Sequence, residues 1–205
     1  MSTGDARGNV AGVTVDEFRG VFRDDESARA VYAEGAGIAR AMPAAVAVPA
    51  DADDVAALVR WAEASHTPLI ARGSGSGMAG GAVGAGVIVD LSRLDSIGAI
   101  DGERRHVMVG PGALRGAVNA RARLQKLRFP VDPSSGAFCT IGGMTATNAA
   151  GAHTLRYGST RAWVTALDCV FADGTRARIQ RGAPLPGLPA IDRFLATAHP
   201  AILAA

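Results

Sequence analysis

A chain of 205 residues, 48% hydrophobic, is long enough for one compact domain or two small ones, and its net charge of +2 sits close to neutral. Arginine supplies nearly all the positive charge, since Lys126 is the single lysine, and no run of like charge marks a nucleic-acid-binding tail. Cys139 and Cys169 lie far apart and outside any CxxC pair, which excludes a zinc ribbon or a disulfide framework, and no stretch of about 20 apolar residues offers a membrane span.

Residues 1–43 read as a helical lead-in whose first dozen positions are polar and disordered, without the apolar core of a signal peptide. A reducing cytoplasm is the location this implies, with peripheral membrane association left open. Thr14 to Glu17 has capping-box spacing and predicts a short helix carrying Phe18, Val21 and Phe22; a second short helix is predicted over 27–34. Positions 44–48 read as a strand stopped by Pro49. Asp51 then caps an amphipathic helix whose apolar stripe is Val55, Leu58, Val59 and Ala62.

After Pro68 a strand leads through Arg72 into Gly73, Ser74, Gly75, Ser76, Gly77, Met78, Ala79, Gly80 and Gly81, and a second apolar run, 87–91, leaves the loop. Gly75, Gly77 and Gly80 match the dinucleotide fingerprint GxGxxG, but that motif needs a helix opening at its third glycine. Here the next strand-like run begins seven residues after Gly80, too soon for a helical crossover, and no Gly-Lys-Ser/Thr follows to make a P-loop. The remaining reading is a glycine loop between two neighbouring strands. Successive N–H groups turned inward would make it an anion cradle suited to phosphate; the alternative is a flexible surface loop without a ligand.

Beyond it, 97–100 and 106–109 predict a hairpin around Asp101 and Gly102, and 113–126 predict a helix whose Arg121, Arg123, Lys126 and Arg128 form a solvated basic face. Residues 129–158 are too rich in Gly, Ser, Thr and Asn for ordinary core and too apolar for a linker. Asp132 to Ser135 read as a turn, while Thr140 to Gly143, then Asn148 and Gly151, bring backbone close to some neighbour. Strands over 166–172 and 176–180 flank Asp173-Gly174, a strong hairpin signal. A Pro/Gly-rich stretch, 181–190, and a short helix over 191–198 close the chain.

Taken together, RGSGSGMAGGA (72–82), DPSSGAFCTIGGMTATNAAG (132–151) and LRYGSTRAWV (155–164) resemble the FAD-binding domain of FAD-linked oxidases, the family of vanillyl-alcohol oxidase and p-cresol methylhydroxylase. The nearest branch is that of the D-lactate dehydrogenase and glycolate oxidase flavin subunits. The resemblance implies an α+β, two-subdomain FAD-binding domain of the p-cresol methylhydroxylase type over 44–180, with subdomains about 44–98 and 99–180, lacking the substrate cap domain. It also implies a linker and truncated end at 181–205.

By resemblance, Arg72 and the loop Gly73, Ser74, Gly75, Ser76 and Gly77 would hold the FAD pyrophosphate, with Met78, Gly80 and Gly81 lining its continuation. Pro133, Ser134 and Ser135, then Cys139, Thr140, Gly142 and Gly143, would approach the ribityl chain and flavin, and Asn148, Gly151 and Tyr157 would complete the second wall. Ser76 stands where covalently flavinylated relatives carry His, which implies non-covalent FAD. A thioether at Cys139 and its reading as a small half-buried residue are the two alternatives there. The expected activity is oxidation of a 2-hydroxy acid such as D-lactate or glycolate by hydride transfer to flavin. A flavin-binding subunit needing a partner chain, and an oxidase of aldonolactones or aromatic alcohols, are the alternatives. Catalytic residues are not assigned by the resemblance; His153 and Arg156 are the candidates within the motifs, with His153 otherwise a loop histidine contacting backbone or solvent. No metal is expected.

Overall fold

In the computed structural model of the chain, which describes residues 9–10, 13–14 and 17–204, the first apolar runs assemble into a four-stranded sheet. Two short strands, β1 (Asn9–Val10) and β2 (Val13–Thr14), pair antiparallel ahead of it. Its members are β3 (Val21–Arg23), β4 (Ala45–Val48), β5 (Leu69–Arg72) and β6 (Val87–Asp90), in the order β3-β4-β6-β5. β4, β6 and β5 run parallel, and β3 is antiparallel at one edge. Between strands lie α1 (Glu26–Val31) and α2 (Ala52–Ala64). The Asp51 carboxylate accepts from the N–H groups of Asp53 and Asp54 at 2.9 and 3.1 Å, the expected cap. Leu58 of α2 packs with Ala45, Ala47, Val87, Val89 and Phe22 in the main core, and Trp61 meets Phe22 edge to face at 6.3 Å.

Where a helix is expected from Thr14 to Phe22, Thr14 belongs to β2, Glu17 lies in a turn, and Val21 and Phe22 belong to β3. Residues 15 and 16, like 1–8 and 11–12 of the expected lead-in, lie outside the described residues. Glu17 adopts φ 66°, which no helix tolerates, and Val21, Phe22 and Arg23 alternate exposed, buried, exposed, the period of a strand. Arg19 fixes the approach: its backbone N–H and Nε both donate to Asp54 Oδ1, at 3.1 and 3.2 Å. Tertiary pairing of Phe22 with Ala47 outweighs the local capping signal.

β5 and β6 are neighbours, as expected, yet they run parallel. Counting only from Gly80 understated the connection. The whole stretch 73–86 meets the dozen or so residues a crossover requires, and it crosses as a glycine loop where such units ordinarily carry a helix.

In the second half, the expected hairpin around Asp101 reduces to two isolated bridges, Ile97 with Val109 and Asp101 with His106. The helix expected over 113–126 is α3 (Arg115–Arg123), which stops where Lys126 turns left-handed at φ 57° and Leu127 N–H returns to the Ala122 carbonyl. Lys126 and Arg128 therefore lie beyond the helix. Then come α4 (Ile141–Ala146), capped by Thr140, α5 (Thr154–Tyr157), a 3₁₀ turn at Thr160–Trp163, and the expected hairpin of β7 (Ala166–Val170) and β8 (Arg176–Gln180), with Gly174 at φ 78°. A small core of Val131, Cys139 and Met144 sits under this region. α6 (Pro189–Ala196) opens two residues before the helix expected at 191, with proline in its first turn, and α7 (Ala198–Ala204) follows. The arrangement is α+β. Among the described residues no helix is long and apolar enough to cross a membrane.

Candidate cofactor-binding site

The glycine loop hangs from the end of β5 and is fastened through its carbonyls. Gly75 O accepts from Ala36 N–H at 3.0 Å, Gly80 O from Val83 N–H at 3.1 Å, and Ala82 O from Arg72 Nη1 at 3.1 Å. The N–H groups of Gly73 to Gly77, by contrast, meet no acceptor among the described residues. A loop with engaged carbonyls and unengaged amides carries positive dipole ends on one side, the polarity that receives an anion. Gly75 needs φ 68°, and a Cβ there would lie 2.5 Å from the Arg72 guanidinium; at Gly77 and Gly81 a Cβ would meet nothing within 4 Å. The loop is thus packed tightly behind Gly75 and open in front of Gly77 and Gly81. Met78 is exposed beside them, and Ser74 donates to Ser76 across the turn at 3.3 Å.

Arg72 lies behind the loop. Its guanidinium covers the Tyr32 ring at 5.2 Å, and the Tyr32 hydroxyl donates to Asp90 Oδ2 at 2.5 Å. Burial first, and Asp90 second, push the Tyr32 hydroxyl up to about 12, so it remains a donor at any working pH. Asp90, Tyr32 and Arg72 form a brace beneath the loop that sequence reasoning did not find. Its signal was thin: one of two tyrosines in the chain, at the C-cap of a short helix whose expected span carried no mark of a brace.

The second motif meets the first at one point. A Cβ on Gly73 would fall 2.2 Å from Thr140 Oγ1, so only glycine admits this contact. Thr140 is fixed from behind: it bridges to Leu114, Arg115 N–H donates to the Cys139 carbonyl, and Gly142 N–H donates to Pro111 O at 2.8 Å. Thr140 Oγ1 caps α4 by accepting from Gly143 N–H at 3.2 Å. Pro133, Ser134 and Ser135 enter a turn in which Pro133 O accepts from Gly136 N–H and Ser135 O from Cys139 N–H. Cys139 is 5% exposed as a residue in the small core, and burial pushes its thiol pKa up.

Asn148 takes the left-handed region at φ 49°, and its Oδ1 accepts from Arg161 N–H at 2.9 Å. A Cβ at Gly151 would strike the Asp132 carbonyl at 2.1 Å. Asp132 binds His153 twice, from its Nδ1 and from its backbone N–H at 3.2 Å, and this contact holds the Asp132 carboxyl below the usual carboxylate range. Tyr157 sits with Arg128 at 5.1 Å and Arg156 at 5.4 Å from its ring centroid, and its hydroxyl accepts from Arg128 Nη2. The loops that read separately as 132–135 and 148–157 are thereby one unit, whereas Tyr157 and His153 line a cleft on the α3 side of it.

Residues 43–180 match the FAD binding domain family. The chain is 39% identical over 134 residues to the D-2-hydroxyglutarate dehydrogenase of Xanthomonas citri pv. viticola, covering 64% of this chain and 28% of the relative. It is 34% identical over 169 residues to the probable mitochondrial D-lactate dehydrogenase of Danio rerio, covering 78% and 34%. The solved structure of 6-hydroxy-D-nicotine oxidase from Arthrobacter nicotinovorans shares the fold, with a TM-score of 0.69 at 23% identity over 80% of this chain and 36% of that one. The chain spans about a third of the length of the curated relatives it matches.

Proposed function

The chain belongs to the FAD binding domain family, and on that premise we propose that it is the flavin-holding portion of an oxidoreductase acting on a 2-hydroxy acid such as D-lactate or glycolate. The observation that carries this reading is the run of N–H groups from Gly73 to Gly77, without an acceptor among the described residues while neighbouring carbonyls are fastened, in a loop where a Cβ at Gly77 or Gly81 would meet nothing within 4 Å. These amides would hold the pyrophosphate by oriented dipoles, without a lysine or a metal. Ser74 and Ser76 add hydroxyls at the rim, and Met78, Gly80 and Gly81 line the continuation. The second motif, joined to the first at Gly73 and Thr140, would present Pro133 to Ser135, Gly142 and Gly143 to the ribityl and flavin end, with Asn148 and Gly151 as the far wall. Arg72 and Tyr157 contribute by holding the loops in shape.

FAD supplies the hydride acceptor when bound. Attachment is non-covalent in this reading: Ser76 stands at the position of the linking His, and the Cys139 thiol faces the small core. A 2-hydroxy acid needs a cationic clamp for its carboxylate and a base at its hydroxyl. A partner chain or a further domain provides the clamp, and the location is cytoplasmic. His153 and Arg156 remain candidates for assisting groups from this side. Purification followed by acid precipitation tests the proposal: FAD is expected in the supernatant. A chain that neither carries nor takes up flavin would defeat it, and flavin left in the pellet would return attention to Cys139.

A further inference from the structure

The basic cluster at the end of α3 is solvent-exposed as expected, but only Arg121 and Arg123 lie on the helix, while Lys126 and Arg128 lie beyond it. The chain turns at the left-handed Lys126, and Arg128, beyond the helix, lines together with Arg123, Lys126 and Arg115 a cleft of about 640 Å³. Arg121 points elsewhere, to the Ile97 carbonyl. Among the described residues none of the four lining cations forms a salt bridge, and the one carboxylate in the cleft, Asp132, is engaged by His153.

Compensation of the helix dipole explains only part of this. Cations suit a helix C-terminus, which accounts for Arg123. Arg115 sits in the first turn, where the dipole disfavours a cation and no acidic side chain offsets it, and Arg128 lies outside the helix. Arg115 Nε and Arg128 Nη2 are each oriented by a hydrogen bond, to Val131 O and to the Tyr157 hydroxyl, which leaves other guanidinium donors for a guest. Phe129 and Leu127 add apolar wall. Four cations lining one cleft with a single, occupied counter-charge suit a guest carrying more than one negative charge, and guanidinium forks match phosphate oxygens.

We propose that this cleft binds a diphosphate-bearing small molecule at a site separate from the glycine loop. Calorimetric titration of the flavin-loaded chain at low ionic strength tests it, with inorganic pyrophosphate and ADP as probes. Saturable binding is expected, weakened about tenfold or more by the double variant Arg123→Gln/Lys126→Gln and by added salt. Both substituted residues are exposed, so flavin retention and melting temperature should stay at wild-type values. Tighter binding of ADP than of pyrophosphate identifies a nucleotide as the source, and equal binding identifies a simple diphosphate; either supports the site. Absence of binding, an equal response to sulfate at matched ionic strength, an unchanged affinity in the double variant, or abolition of binding by flavin loading each overturns it. Should the chain take up no flavin, the same titration on the flavin-free protein still decides. Binding that survives Gly77→Val and is lost in the double variant supports the cleft; the reverse assigns the probe to the glycine loop and overturns the proposal.

Discussion

At Tyr32 a single hydroxyl connects the sheet to the glycine loop. Its donation to Asp90 at 2.5 Å sets the ring on which the Arg72 guanidinium rests, and Asp90 is only 8% exposed. Tyr32→Phe leaves one Asp90 oxygen without its donor, at an expected cost of about 1–2 kcal/mol in a urea melt, together with a several-fold weaker hold on FAD in a fluorescence titration. Wild-type affinity in this variant would show that Arg72 needs no brace. Asp132 carries a pH dependence. Because His153 lowers its folded pKa, the pair stabilises the fold above the ordinary carboxylate range, and that contribution is lost as pH falls through the lower, folded value. Thermal melts from about pH 6 down to about pH 2.5 should show His153→Ala below wild type at the upper end, with the gap closing as Asp132 protonates. A gap that widens with acid would contradict this.

Within the glycine loop, two residues that look alike in sequence do different work. Gly75→Val forces a branched side chain into φ 68° and against Arg72, so about 1–3 kcal/mol of strain should appear as lost stability and lost FAD together. At Gly77 an added Cβ meets nothing within 4 Å, so the unfolding free energy of Gly77→Val from a urea melt should stay within about 0.5 kcal/mol of wild type while FAD binding fails. Normal FAD binding by the Gly77 variant would remove the loop from the pyrophosphate site. The loop, its flanking strands, the Asp51-capped helix and the Asp173-Gly174 hairpin were legible because each is specified by local pattern and turn chemistry. β3 was not, because Phe22 is drawn into a strand by a partner 25 positions away, Ala47, against a capping signal beside it. The contact of Gly73 with Thr140 was legible only as two glycine-rich stretches that each needed a neighbour; no spacing rule says that they need each other. The contact of the Arg72 guanidinium with the Tyr32 ring and the Ala82 carbonyl was not legible, because a sequence does not show on which side of a loop a guanidinium lies.

For the molecule as a whole, the FAD-loaded chain of 205 residues is expected not to be reduced by D-lactate or glycolate. Orienting the substrate supplies roughly 7–11 kcal/mol of such a barrier, and in the proposed reading the clamp belongs to a partner chain or further domain. Anaerobic mixing should leave the oxidised flavin band intact with either acid and bleach it with dithionite. Rapid bleaching by substrate would place a full site on this chain, with His153 and Arg156 as its first suspects. The parallel pair β5 and β6 is closed by a crossover with no helical ladder inside it, so in the proposed reading a bound FAD pyrophosphate would add to that crossover's order. Mass action then sets its resistance to proteases: a ligand at a hundred times its Kd adds about 2.7 kcal/mol against opening. If the loop is the pyrophosphate site as proposed, then in a cell short of flavin the newly made chain would be cut first between Gly73 and Gly86, and cofactor supply would govern how long each copy survives.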